Sequence, residues 1–79
     1  MKIYTILDKK AKFYSTPWYS VNNDTAIREF VRTVSKGEGH AHHFPDDFVL
    51  YQIGEFDDST GVITSCAIEL LMLGNDVEA

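Results

Sequence analysis

Arg28, Arg32 and Lys36 follow one another at intervals of four residues, and Lys9, Lys10 and Lys12 crowd into a four-residue stretch; together they are six of the seven cations in the chain. On a helix the first three form a ridge climbing about 6 Å per step, close to the spacing of phosphates along a nucleic-acid strand. Cations placed this way suit a phosphate backbone. Such a site is completed by exposed rings on which bases stack. Trp18 and Tyr19, beside Pro17 in a polar stretch, are the candidate rings, whereas Tyr4 and Phe13 read as strand core. The plainer alternative is a solvated helix face and a solvated turn.

The net charge of −5 is unevenly spread. Residues 1–36 hold all seven Lys and Arg against three acids, giving +4, and residues 37–79 hold nine acids and no Lys or Arg, giving −9. Asymmetry of this kind points to contact with a nucleic acid or another anionic surface by one part of the molecule.

Other chemistry finds little footing. His40, His42 and His43, followed by Asp46 and Asp47, lie in one loop, fit no zinc spacing and have no cysteine nearby, so no metal site is expected. The pairs Asp46-Asp47 and Asp57-Asp58 fall in turns, where carboxylates close the backbone or aid solubility. No phosphate-cradling glycine loop and no nucleophile with a neighbouring base is present. The chain reads as a non-enzyme without a cofactor.

The elements that must position the cations are legible in outline. KIYTIL, residues 2–7, alternates as a strand; an Asp-led reversal over residues 8–12 returns it through Phe13 and Tyr14 until Pro17 interrupts or confines it to an edge. Lys12 stands where the later turn has Gly61, which weakens the first reversal. Asn22 or Asn23 caps a helix over Thr25–Lys36, stopped by Gly37, with Ile27, Phe30, Val31 and Val34 as its apolar stripe. FVLYQIGEFDDSTGVI, residues 48–63, is a hairpin with strands at 48–56 and 61–66 turning through DDSTG. Alternation sets Val49, Tyr51 and Ile53 on one face and Phe48, Leu50 and Phe56 on the other, as in a central pair covered on both sides. AIELLML, residues 67–73, is either a strand or a short helix, as its period decides nothing. The expectation is one α+β domain over residues 1–79: β-hairpin, helix, β-hairpin, with the helix on one face of a small antiparallel sheet.

A core of this size is marginal alone, and the single cysteine, Cys66, allows no internal disulfide, so a homodimer or higher homo-oligomer is expected. No segment approaches the roughly 20 apolar residues of a membrane helix, and the N-terminus lacks the features of a signal peptide. A membrane partner is not expected, and a cytoplasmic protein is.

IYTILDKKA, AIREF and above all FPDDFVLYQIGEFDDSTG resemble the small non-structural DNA-binding protein of gokushoviruses, single-stranded DNA microviruses of bacteria. The resemblance implies a role in genome replication in the host cytoplasm. Members of that family are regarded as counterparts of the microvirus factor that halts duplex replication and commits the genome to single-strand synthesis and packaging. The site assignment rests on charge: Lys9, Lys10, Lys12, Arg28, Arg32 and Lys36 on the DNA backbone, single-stranded DNA foremost, with Trp18 and Tyr19 as stacking rings. A reading of another class is an adaptor whose acidic half docks on a viral replication or capsid protein, with AIELLML as apolar anchor.

Overall fold

The computed structural model describes residues 1–35 and 43–77. In chain order the elements are β1 (Lys2–Asp8), β2 (Phe13–Tyr14), β3 (Trp18–Ser20), α1 (Asn23–Ser35), a 3₁₀ turn at Pro45–Asp47, β4 (Phe48–Asp57), β5 (Val62–Leu73) and a 3₁₀ turn at Gly74–Asp76. All strand pairs are antiparallel: β2 and β3 share one edge of β1, β4 pairs with its other edge, and β5 pairs with β4. The expected α+β architecture holds, with α1 on a small antiparallel sheet. Its hairpin–helix–hairpin outline gains a third short strand after Pro17. AIELLML, left open above, is the second half of β5. That strand lies at the sheet edge, so the hairpin is not a central pair covered on both sides. The helix stop at Gly37 lies outside the described residues.

The two Asp-led turns share one geometry. Asp8 Oδ1 accepts from the backbone N–H of Lys10 and Ala11 at 3.1 Å, and Asp57 Oδ1 accepts from Ser59 N–H at 2.9 Å and from its hydroxyl at 2.7 Å. In each turn the fifth residue's N–H reaches back to the Asp carbonyl at 2.8 Å, from Lys12 and from Gly61. Both fifth residues are left-handed, at φ 63° and φ 77°. The first reversal therefore forms despite its lysine. The Ser59 hydroxyl and N–H hold the Asp57 carboxyl below its ordinary pKa. That lowering means its bonds help the turn at neutral pH and are lost as pH falls through the depressed value.

Alternation then sorts the sheet. Tyr4 and Leu50 face the helix and are fully buried with Phe30 and Ala26, and Val34 completes the cluster. The helical stripe is thus centred on Ala26, Phe30 and Val34, with Ile27 packed at its flank and Val31 half-buried. Burial of each large side chain contributes about 1.5–3 kcal/mol. Asn22 is the cap, its Oδ1 accepting from Thr25 N–H at 2.9 Å. Tyr4 donates its hydroxyl to Asn23 Oδ1 at 2.7 Å, which ties β1 to the start of α1. Burial, and secondarily the charge of Glu69, raises the Tyr4 pKa.

One irregularity reverses part of the expected facing. Tyr4 lies opposite Gln52 but Ile3 lies opposite Gly54, so Ile53 is an extra residue in β4. Beyond it the parity inverts. Phe56 therefore shares the face of Val49 and Tyr51 rather than that of Leu50, and its ring meets Tyr19, the partner of Ile3, at 5.7 Å.

Two stability outcomes follow. Lys12→Gly relieves an L-residue in left-handed backbone and should raise unfolding free energy by about 1 kcal/mol, read by denaturant titration with the single Trp18 as fluorescent probe. Gly74 is buried against the carbonyls of Pro45 and Phe48, where an added Cβ would collide with the Pro45 carbonyl. Gly74→Ala should lower stability by about 1–3 kcal/mol or more in the same assay.

Candidate nucleic-acid interface

At about 100° per residue, with the buried stripe centred on Phe30, Arg28 sits near 160° and Arg32 near 200° around α1. They straddle the pole opposite the core, and both are exposed. Asp24, one turn before Arg28, is spaced for an ion pair. Among the described residues, however, neither arginine is paired with a carboxylate. Lys36, the third member of the ridge, lies outside the described residues.

Lys9, Lys10 and Lys12 are exposed on the β1–β2 turn. Their backbone is held by the Asp8 carboxylate, and Lys9 N–H donates to the Asp47 carbonyl at 2.8 Å, which fastens the turn to the 3₁₀ segment before β4. Between turn and segment opens a groove of about 640 Å³ lined by Asp8, Lys10, Ala11, Phe13, Phe44, Asp47 and Phe48. Phe48 also packs on the helix core, so the groove adjoins the face that carries α1.

Two of its rings stand in the open: Phe13 is 59% and Phe44 58% exposed. Phe13 thus departs from its expected place in the core. The reason is local: β2 is a two-residue edge strand, and Phe13 pairs with Asp8, the last residue of β1, outside the cluster that α1 buries. The lining is mostly apolar, with Lys10 set against Asp8 and Asp47. It suits the flat face of a base better than a phosphate, while Lys9, Lys12 and the arginine ridge are free for phosphates.

Trp18 and Tyr19 do not join this site. They belong to β3, where adjacent side chains point to opposite sides of the sheet. Trp18 is half-buried against Tyr4 at 6.0 Å between ring centroids, its Nε1 enclosed without a partner among the described residues. It is a core residue rather than a loop ring. Tyr19 is exposed, but on the face away from the helix and from the cations. The polar stretch beside Pro17 suggested a loop, yet the aromatic, strand-favouring pair after Pro17 was the signal for a return to the edge of β1.

His40 and His42 lie outside the described residues. His43 is exposed with its ring 6.5 Å from that of Phe44, and no cluster suited to a metal ion occurs among the described residues. No described helix is long and apolar enough to cross a membrane.

Neither the curated proteins nor the solved structures include a match to this chain. A family model described as Phage ORF5 protein matches residues 1–77, nearly the full length, including both Asp-led turns, the arginine ridge and the aromatic groove. The chain belongs to the Phage ORF5 protein family and is a bacteriophage protein.

Proposed function

We propose that this phage protein is a non-enzymatic DNA-binding regulator of genome replication, acting in the host cytoplasm to help turn duplex replication toward single-strand synthesis and packaging. The observation that carries the binding reading is the lysine turn beside two open phenylalanine rings, with two further unpaired cations on α1. Arg28 and Arg32 stand on the outer pole of α1, and Lys9, Lys10 and Lys12 stand beside the groove of Phe13 and Phe44. Cations alone would serve either form of DNA. Rings can stack only on bases already released from a duplex, so the groove favours single strands. The replication role rests on the resemblance carried by FPDDFVLYQIGEFDDSTG.

A second reading, the protein-binding adaptor, draws on Glu55, Asp57 and Asp58, which gather beside Met1 and Phe56 in a shallow acidic cleft. Titration with single- and double-stranded DNA at two salt concentrations separates the two. A protein that ignores both DNAs at low salt yet binds a phage replication or capsid protein is the adaptor.

If the protein binds DNA, the two halves of the site fail differently. Arg28→Glu with Arg32→Glu should weaken binding to all sequences and reduce the slope of log K against log salt by about 0.7–0.9 per lost phosphate contact. Unchanged affinity and slope in that double variant would remove the ridge from the site. Phe13→Ala and Phe44→Ala should each cost about 1–3 kcal/mol of single-strand affinity while leaving the slope alone, measured by fluorescence anisotropy. Equal losses on single and double strands would count against stacking.

A further inference from the structure

The sheet is divided by charge as well as by packing. Five charged residues occur in its strands: Lys2, Asp8, Glu55, Asp57 and Glu69. The register places every one on the helix side. Lys2 and Asp8 share the parity of Tyr4, Glu55 lies opposite Lys2 with Asp57 two residues on, and Glu69 lies opposite Gln52, the partner of Tyr4. Among the described residues, the strands place no charged side chain on the other face.

That face carries Tyr14 against Tyr51 at 6.2 Å between ring centroids and Tyr19 against Phe56 at 5.7 Å, with Ile63 and Leu70 on the strand beside them. No described helix lies over it, and Tyr14, Tyr19, Ile63 and Leu70 are each about half exposed or more. A sheet face meant for water is mostly polar, and this one is mostly aromatic and aliphatic, with Thr5 and Ser65 as its polar strand residues. We infer that the helix-free face of the sheet is the interface with a second copy of this chain.

Charge and area select that occupant. A DNA strand needs cations, which this face lacks. A strongly charged protein partner would gain nothing from a neutral surface. A two-fold related copy brings the same aromatic and aliphatic patch and no like-charge repulsion, although each chain carries −5. The strands Lys2–Asp8, Phe13–Tyr14, Trp18–Ser20, Phe48–Asp57 and Val62–Leu73, at about 3.3 Å per residue and about 4.8 Å per strand width, give roughly 540 Å² per copy. The total of about 1,100 Å² clears the roughly 1,000 Å² expected of a biological interface. This inference is independent of the DNA-binding reading, since none of its residues is in the groove or on the ridge.

Sedimentation equilibrium tests it. The wild-type chain should sediment as twice its 9.0 kDa. Leu70→Glu and, separately, Tyr19→Glu should each weaken dimerisation on the order of 30-fold, the loss typical of a central contact. Arg28→Glu with Arg32→Glu should leave the dimer intact. Circular dichroism and Trp18 fluorescence establish that each variant is folded. Should one fail to fold, hydrogen exchange on the wild type serves instead, with the amides around Tyr51 and Leu70 gaining protection as concentration rises. A wild-type monomer at about 100 μM, a dimer indifferent to both substitutions, or protection of this face only on addition of DNA or another phage protein would overturn the inference.

Discussion

The thirteen residues of α1 cannot by themselves cover a sheet of this size, and most of the character of the described residues follows from that mismatch. At about 1.5 Å per residue and 10 Å across, α1 shields roughly 200 Å² of a face about three times larger. The helix is spent on Tyr4, Leu50 and their neighbours, fastened at its start by Tyr4 and Asn23. Among the described residues, the end of the same face, beyond Phe48, is left as the aromatic groove, and the opposite face has no helix over it. Among the described residues, the surfaces open to partners are therefore what α1 leaves uncovered.

Charge segregation along the chain becomes something different in space. β1 of the basic half is hydrogen-bonded along its length to β4 of the acidic half, so the two halves do not form separate lobes. Asp47 even anchors the lysine turn through its carbonyl. What keeps cations unpaired is local geometry. Arg28 and Arg32 are carried to the outer pole of α1 by helical period, and the lysines are carried out by a turn whose carboxylate, Asp8, is occupied by backbone N–H groups. Lys12 occupies left-handed backbone where the sister turn has glycine, a local cost that places a cation rather than a bare backbone at that corner.

β5 shows how an edge is handled without charge. It is twelve residues long with one acid and no Lys, Arg or Pro, a composition that invites pairing with other chains. Its register against β4 slips twice, once around Leu71 and once where Cys66, Ala67 and Ile68 all face Ile53. Such bulges twist a strand away from straight edge-to-edge addition, which leaves the flat aromatic face as the better surface for association.

Much of this was readable from residue order alone. Alternation in KIYTIL and in FVLYQ, the Asn22 cap and the i, i+4 placement of Arg28 and Arg32 depend on interactions within a few residues, and each has the form expected of it. Long-range pairing decided the rest. The extra residue at Ile53 exists only relative to β1, and it moved Phe56 across the sheet; the edge of β1 drew Trp18 and Tyr19 into a strand and onto opposite faces; the limited reach of α1 left Phe13 in the open. No period or propensity carries that information, because which side of a strand is buried depends on where its neighbours stop.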